Sequence, residues 1–281
     1  MGTGAIGLFL TKILKDNQHN VLNYDSRKTL MSNEFKLIIN DVTSSLDIEP
    51  SKYLRHSEDL VIVTTKSFDI DQKLISHLMS CNKDVLFLQN GIVTMLTLGG
   101  MSNKFNFGTL TGIQAFLSDN QLTVMTNKCK VLIKDTSMAK SIANLQSHIN
   151  PLCSFTVSEN IDDLIFTKFI RWLVVSAITS LTSQNLGDAL SFIPRKEIEG
   201  GIEEILHLIN QKFHLEIKVV DIYNSILELP RELKTSSFRN YTEKKENEMI
   251  LELNYVLKSL KEKGLKPKIL IRWSKDLSNK N

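Results

Sequence analysis

Short apolar runs alternate with helical patterns through the first half of the chain. Apolar positions spaced as on one face of a helix predict an amphipathic helix over residues 7–17. Runs rich in β-branched residues between turn residues predict buried strands at 19–24, 60–65 and 85–88. Three later runs predict further strands, which we expect to be antiparallel, at 111–117, 121–126 and 130–133. This alternation is typical of an α/β domain built on a wound parallel sheet.

The second half of the chain has a different pattern. After about Pro151 the apolar positions follow the helical period over long segments, at 162–181, 198–212, 219–229 and 242–263. The change of pattern falls between residues 150 and 159. We therefore expect a first domain at 1–154 and an all-helical second domain at 155–281.

Composition limits the classes of function. The chain has 281 residues, of which 42% are hydrophobic, so each of two domains can have its own core. The net charge is +3, and basic residues are interleaved with acidic ones, so we expect no nucleic-acid partner. The uninterrupted apolar runs are short and no leader pattern opens the chain. We therefore expect no membrane association and a cytoplasmic location.

The cysteines and histidines favour neither a disulfide framework nor a metal site. The three cysteines, Cys81, Cys129 and Cys153, have no paired spacing, which is typical of free thiols in a reducing compartment. The six histidines are scattered without an H-x-x-x-H spacing, so we expect no metal. Neither a G-x-S-x-G nor a P-loop pattern occurs, which argues against hydrolase and phosphoryl-transfer chemistry.

A glycine fingerprint opens the chain and leads directly into the first helix. In G-x-G-x-x-G, Gly2 permits a tight turn, Gly4 lets a pyrophosphate approach the backbone, and Gly7 lets the helix pack closely on a sheet. The helix start then offers backbone N–H groups and partial positive charge to the phosphates. The predicted cofactor-binding residues here are Gly2, Thr3, Gly4, Ala5, Ile6 and Gly7.

An acidic residue follows at the position that a dinucleotide site requires. Asp25 ends the predicted strand 23 residues after Gly2, where a carboxylate would bind the adenosine ribose. Asp25 favours the free 2′-hydroxyl of NADH, whereas Arg27 and Lys28 would neutralise the 2′-phosphate of NADPH, so both cofactors stay open. A glycine-rich tail would not explain this spacing, so the pattern predicts a Rossmann-type domain.

One element of that pattern is missing from the printed sequence. Only Met1 stands before Gly2, so no strand leads into the fingerprint. Either the start codon lies upstream, or the sheet lacks its first strand, which would weaken it badly.

Further motifs identify a family. With the fingerprint, the segments Val63-Thr64-Thr65-Lys66 and Leu88-Gln89-Asn90-Gly91 and the helix near Lys168 resemble the ketopantoate reductase (2-dehydropantoate 2-reductase) family. The resemblance runs from residue 2 to about residue 265. It implies a Rossmann domain followed by a helical domain. It also implies NADPH-dependent reduction of 2-dehydropantoate to pantoate, on the route to pantothenate and coenzyme A, and a possible homodimer.

The resemblance also implies roles for particular residues. Lys66 would lie beside the cofactor, and Asn90 would contact the nicotinamide end and the substrate. Lys168, in Phe166-Thr167-Lys168-Phe169, would be the catalytic acid, because an ammonium stabilises a forming alkoxide and can give up a proton. Ser236 would bind substrate and Glu248, twelve residues on, would be catalytic, with Ser237 and Glu246 as alternatives.

The sequence departs from the family pattern on the helix that carries Lys168. Trp172 and Ser176 stand where the family has two asparagines, so Ser176 is the residue we expect to bind substrate there. Thr179 matches the threonine that follows. These departures indicate a divergent member. They leave two alternatives open: a reductase of another branched 2-keto acid, and a non-catalytic dinucleotide-binding sensor.

Overall fold

The computed structural model divides the chain into two compact units. It describes residues 4–24, 34–51, 60–81, 83–89, 91–99, 101, 103–134, 151–210, 213, 215–244 and 247–279. The sheet unit comprises Met1–Asn90 and Thr94–Ile161, and the helical unit comprises Gly91–Val93 and Asp162–Asn281. The predicted α/β class, a sheet-based first part followed by helices, is confirmed.

Nine strands are described in the sheet unit. They are β1 Asn23–Tyr24, β2 Glu34–Ile39, β3 Val42–Asp47, β4 Pro50–Ser51, β5 Leu60–Val63, β6 Asp84–Phe87, β7 Phe105–Ser118, β8 Gln121–Ile133 and β9 Cys153–Val157. The main sheet has the order β3-β2-β8-β7-β6-β5, and β9 also pairs with β8. Its helices are α1 Ala5–Asp16, α2 Gln72–Ser80 and α3 Val93–Leu98, with a short 3₁₀ turn at Ser67–Asp69.

Strands β5 and β6 are parallel and apolar on both faces, as expected for strands covered on both sides. Because successive side chains alternate, Ile62 and Leu86 join the core that includes α1. Val61 and Phe87 instead join a second core with Leu78 of α2. Both faces of these strands are therefore covered, as predicted for buried parallel strands.

The later strands differ from the prediction in number. Segments 121–126 and 130–133 belong to one strand, β8, which pairs antiparallel with β7 as expected. The pairing shifts register between Thr111 and Ile113, where Gly112 has a φ of +71° that favours glycine. This bulge lets one long strand pass through a stretch that looks interrupted in the sequence.

The hairpin of β2 and β3 was not predicted. Its two-residue turn consists of Asn40 and Asp41, with φ values of +46° and +67°. Both residue types tolerate this left-handed conformation, which two-residue hairpin turns require. The alternating burial of β2 places Phe35, Leu37 and Ile39 in the core.

The strand predicted over 19–24 is short. Only Asn23–Tyr24 is a strand, and it pairs in parallel with β4 in a separate two-stranded sheet. Among the described residues, no strand joins this pair to the main sheet.

The described part of the helical unit contains seven helices. They are α4 Ile161–Thr182, α5 Leu186–Phe192, α6 Arg195–Asn210, α7 Val219–Leu227, α8 Ser236–Thr242, α9 Glu248–Glu262 and α10 Lys268–Asn279. The helix predicted at 242–263 is instead α9, preceded by α8, because the Asn247 side chain accepts a hydrogen bond from the Met249 amide and starts a new helix. Helices α5, α8 and α10 were not predicted.

Helix α4 is the central element of the helical unit. Its side chains from Val174 to Ser180 are all buried, and six of them have an exposed fraction of 0%. By length and composition this 22-residue helix could cross a membrane, which corrects our expectation that no segment could. However, 67% of its apolar window is buried within the protein, as in the core helix of a globular unit.

Helix α10 packs closely on α6. The Trp273 ring lies against Gly201, where an added Cβ would come within 2.6 Å of the ring. The Glu204 carboxylate accepts hydrogen bonds from the amides of Lys268, Ile269 and Leu270, at 2.6, 3.0 and 2.9 Å. A side chain of α6 thus satisfies the first turn of α10.

Candidate functional site

The start of α1 is open to a ligand. Gly4 is the N-cap residue and has no side chain to accept from the first-turn amides. A Cβ on Gly4 would meet no described residue within 4 Å, so the described part of the chain leaves space beside the backbone. By contrast, Asp71 caps α2 by accepting from the Leu74 amide at 2.7 Å. The first turn of α1 therefore offers N–H groups of the kind that bind phosphates. The contacts of Ala5, Ile6 and Gly7 with a cofactor stay predictions. Gly2 and Thr3 lie outside the described residues.

Buried polar atoms line the carboxyl ends of β5 and β6. The hydroxyls of Thr64 and Thr65 and the side-chain oxygen of Gln89 are buried without a hydrogen-bond partner among the described residues. The Gln89 Nε2 donates to the Thr65 carbonyl at 2.6 Å, so the two strand ends are tied together. Ligands of open α/β sheets bind at this edge, and unsatisfied buried polar atoms there fit a polar ligand. Sequence reasoning named Lys66, which is exposed, and missed these three residues.

The residues predicted to recognise the adenosine ribose directly follow the described strand β1. Asp25, Arg27 and Lys28 lie outside the described residues. The strand that leads to them, β1, is described, and its Asn23 side chain is fully buried. The position of the strand end is therefore known, although the predicted contacts to the ribose stay predictions.

The turn after β6 lies against a buried carboxylate. Asn90 lies outside the described residues, but Gly91 is described as part of the helical unit. A Cβ on Gly91 would overlap the carboxylate of Glu252 in α9, so any side chain at this position would require that carboxylate to move. Glu252 is 3% exposed, whereas Glu248 is half-buried one turn earlier on the same helix. Glu252 is the residue that sequence reasoning missed.

Lys168 and the residues of the family pattern share one face of α4. Positions 168, 172, 176 and 179 are three or four residues apart, so their side chains lie in a row. Lys168 and Trp172 are half-buried, and Ser176 is 5% exposed. Thr179 is fully buried, and its hydroxyl donates to the Val175 carbonyl at 2.8 Å. The accessible part of the row is therefore its N-terminal half.

Arg171 is a second cation on the same helix that sequence reasoning did not consider. Its guanidinium lies 5.6 Å from the centroid of the Trp172 ring. Burial lowers the pKa of Arg171, and the negative charge of Glu228 partly offsets this effect. A half-buried cation beside Trp172 adds a group able to bind an anion where the family has an asparagine.

The predicted substrate-binding serine lies at the start of α8. Ser236 is exposed, and Ser237 beside it is half-buried. Thr235 is the N-cap residue, and its hydroxyl accepts from the Phe238 amide at 3.0 Å. The Ser237 carbonyl accepts from Asn247 Nδ2 at 2.7 Å, which ties α8 to the start of α9. The structure thus connects the serine pair with the helix that carries Glu248 and Glu252.

A metal centre is not indicated in the part of the chain that the structure describes. No group of three or more His, Cys, Asp or Glu side chains lies close enough together there to hold an ion.

The first half of the chain matches a known protein family. Residues 1–136 match the family model described as Ketopantoate reductase PanE/ApbA. A comparison with curated protein sequences gives no significant match.

Solved structures match over almost the whole chain. The probable 2-dehydropantoate 2-reductase of Bacillus subtilis has a TM-score of 0.80 at 17% identity, covering 99% of this chain and 98% of that one. The dimeric ketopantoate reductase of Staphylococcus aureus has a TM-score of 0.77 at 16% identity, covering 98% and 95%. A D-mandelate dehydrogenase bound to NADH and anilino(oxo)acetate has a TM-score of 0.79 at 15% identity, covering 99% and 96%.

The family match and the fold support an NAD(P)-dependent 2-keto acid reductase. At 15–17% sequence identity, the solved structures show only that the fold is shared. Residues 1–136 therefore match the model of the ketopantoate reductase family, and the chain as a whole has the fold of the solved structures.

Proposed function

We propose that this protein reduces 2-dehydropantoate to pantoate with NADPH, in the cytoplasm, on the route to pantothenate and coenzyme A. The observation that carries the proposal is the glycine-started, uncapped α1 within a ketopantoate reductase family domain. NADPH is preferred over NADH because Arg27 and Lys28 follow Asp25 in the sequence and would neutralise a 2′-phosphate. The solved dimeric relative supports a homodimer as the working form.

The described residues fit a nicotinamide dinucleotide. Open space beside Gly4 leaves room for a pyrophosphate on the first-turn amides of α1. The buried Thr64 and Thr65 hydroxyls and the Gln89 side-chain oxygen would hydrogen-bond to its ribose and amide groups. Lys66, which follows them, would hold a phosphate or ribose oxygen. The reduced nicotinamide, when bound, supplies the hydride that the carbonyl carbon accepts.

Residues of the helical unit supply the proton and hold the substrate. The Lys168 ammonium stabilises the negative charge that forms on the carbonyl oxygen, and then transfers its proton to that oxygen. Ser176 and Ser236 hold polar groups of the substrate, as does Asn90, which belongs to the sheet unit. The carboxylate of Glu248 or Glu252 binds the substrate hydroxyl or orients Lys168. Of these two carboxylates, the contact with Gly91 favours Glu252.

A second candidate function has its own support. Trp172 is bulkier, and Ser176 is smaller, than the asparagines of the family pattern. Arg171 adds a cation beside Trp172. The D-mandelate dehydrogenase with the same fold shows that this fold accepts an aromatic 2-keto acid analogue. Reduction of a larger branched or aromatic 2-keto acid is therefore the alternative to 2-dehydropantoate.

Turnover on a small panel of 2-keto acids tests the proposal. Oxidation of NADPH and of NADH is followed by absorbance with 2-dehydropantoate, other branched 2-keto acids and an aromatic 2-keto acid. We expect the highest kcat/KM for 2-dehydropantoate with NADPH. A preference for an aromatic acid would support the alternative, and binding of dinucleotide without turnover of any acid would support a sensor.

Two pairs of variants test the residue roles. Lys168→Ala should lower kcat at least about 100-fold, because a positioned acid contributes that much. Lys258→Ala removes an exposed lysine of the same unit and should leave kcat unchanged. Glu252→Gln should lower kcat/KM at least about 10-fold more than Glu248→Gln, and the opposite order would return the role to Glu248.

A further inference from the structure

A chain of buried hydrogen bonds links the end of β1 to the first turn of α1. Asn23 Nδ2 donates to the Thr11 hydroxyl at 2.8 Å, and that hydroxyl donates to the Gly7 carbonyl at 2.8 Å. Asn23 and Thr11 are both 0% exposed. Gly7 is the last glycine of the fingerprint, so the chain of bonds ends within the first turn of α1.

The main chain of Asn23 is fixed as well. Its backbone amide donates to the Glu49 carbonyl at 3.0 Å, next to β4. Asn23 therefore holds the two-stranded sheet through its backbone and α1 through its side chain. Three elements of the sheet unit meet at this one residue.

An apolar residue would fill the same space without the cost of burying an amide. The surroundings of α1 are apolar, with Leu8, Leu10 and Val21 in the same core. The Asn23 side-chain oxygen has no partner among the described residues, so part of its hydrogen-bonding capacity is given up. The Thr11 hydroxyl bonded to Gly7 is ordinary in a helix, but a buried asparagine donating to it from another element is not.

A hydrogen bond, unlike an apolar packing contact, depends on the direction and distance between its two partners. Two apolar side chains can slide past one another at little cost, whereas a slip of Asn23 relative to Thr11 would leave the Asn23 amide without its acceptor in the core. The pair therefore fixes where β1 ends relative to the first turn of α1. In the sequence, the end of β1 leads directly to Asp25, the residue predicted to bind the adenosine ribose.

We infer that Asn23 and Thr11 are positioning residues for the nicotinamide dinucleotide. They keep the ribose-binding strand end and the phosphate-binding turn at the separation that one dinucleotide spans. This inference rests on the proposed function, because it requires that a dinucleotide binds at α1. Neither side chain touches the cofactor, so the effect is on affinity and not on the chemical step.

The test uses substitutions that keep the shape of Thr11 and change its hydroxyl. Thr11→Val should raise the Kd and the cofactor KM about 10-fold while kcat stays within about twofold, as expected when binding alone is lost. Thr11→Ser keeps the hydroxyl and should restore wild-type affinity. Asn23→Leu should weaken binding to a similar degree, and the double variant should be no weaker than either single one, since both break one chain of bonds.

The matched control is Thr126→Val in the same unit. Thr126 is also a buried threonine whose hydroxyl donates to a glycine carbonyl, that of Gly112, at 2.7 Å. Thr126→Val should lower the Tm about as much as Thr11→Val does, but it should keep the wild-type affinity for dinucleotide. Equal losses of affinity in Thr11→Val and Thr126→Val would overturn the positioning role and leave a general effect of stability.

Loss of cofactor binding and loss of the positioning role would give different results. If the wild-type protein binds neither NADPH nor NADH, the proposed function fails and this inference fails with it. If the wild type binds one of them and Thr11→Val binds it equally well, only the positioning role is wrong. Thr11→Ala and Asn23→Ser, which introduce no larger side chain, carry the same test if an isosteric variant does not fold.

Discussion

Helices α1 and α10 begin in opposite ways. Helix α1 starts at a glycine and has no side-chain cap, whereas three first-turn amides of α10 donate to the Glu204 carboxylate. Both helix starts have the same need, since the first amides of any helix lack partners within it. The Glu204 carboxylate supplies an anion to α10, whereas Gly4 supplies none to α1, where we propose that the phosphates of a dinucleotide bind.

The difference separates a structural role from a binding role. A built-in carboxylate stabilises α10 at all times, because it is part of the folded chain. An open helix start gives up that stabilisation until a ligand arrives, and binding free energy then replaces it. A carboxylate added at the start of α1 should therefore stabilise the fold and weaken ligand binding. Removal of the Glu204 carboxylate should destabilise the fold and leave ligand binding unchanged.

The largest effect is expected from giving α1 an anion of its own. Gly4→Asp fits, since an added side chain meets open space at a φ of −75°. The new carboxylate would cap the helix and add about 0.5–1 kcal/mol to the free energy of unfolding. It would also repel and displace the pyrophosphate, so the Kd for NADPH should rise about 100-fold, measured by fluorescence titration.

The neutral variant Gly4→Asn separates charge from shape. It provides a similar cap without the negative charge, so its loss of affinity should be about 10-fold smaller than that of Gly4→Asp. If Gly4→Asp binds dinucleotide as well as the wild type does, the phosphates do not bind at α1.

The next effect comes from removing the anion at α10. Glu204→Ala should lower the free energy of unfolding by about 2 kcal/mol, because charge-assisted hydrogen bonds to the first-turn amides are lost. Urea unfolding measures the loss, and the affinity for dinucleotide should not change. The neighbouring exposed Glu203→Ala is the control, and equal stability of the two variants would show that water replaces the carboxylate fully.

The smallest effect concerns the other end of α10. The Tyr241 hydroxyl donates to the Leu277 carbonyl at 2.8 Å, and burial raises the pKa of Tyr241 above its ordinary value of 10.0. Tyr241→Phe should cost about 1 kcal/mol at pH 7, measured by urea unfolding.

The pH dependence of that difference has a definite sign. Because the folded state holds the Tyr241 proton more tightly than the unfolded state, this residue contributes fully below pH 10 and loses its contribution as the pH rises further. The gap between wild type and Tyr241→Phe should therefore narrow above pH 10. A gap that stays constant as the pH rises would show that the Tyr241 hydroxyl is not the group that titrates.

Features fixed by neighbouring residues could be predicted from the sequence. The fingerprint and α1 are local, and the apolar runs of β5 and β6 are continuous, so these elements were found with small errors at their ends. Helix α4 was found because its periodic pattern is long.

Features that join distant residues could not be predicted. Glu204 caps a helix that begins at residue 268, and nothing local in the sequence marks that pairing. Cys129 and Cys153 lack paired spacing, yet they lie opposite one another on β8 and β9. There a hydrogen bond from the Cys129 thiol lowers the pKa of Cys153.

The choice of candidate carboxylate likewise depends on a contact between distant residues that the sequence does not mark. Spacing from Ser236 pointed to Glu248, because the length of the turn between α8 and α9 was unknown. The structure places Asn247 at the start of α9, and Glu252 one turn further in lies against Gly91. The length of the turn between α8 and α9 thus determines which carboxylate lies against Gly91.

The membership of Gly91–Val93 in the helical unit bears on how the protein can be divided. Because the chain enters that unit twice, no single cut yields two intact halves. A fragment that ends at Ile161 would carry Gly91 without the Glu252 carboxylate, and the complementary fragment would leave that carboxylate facing solvent. Chimeras that exchange the second half for that of a relative must therefore exchange residues 91–93 with it.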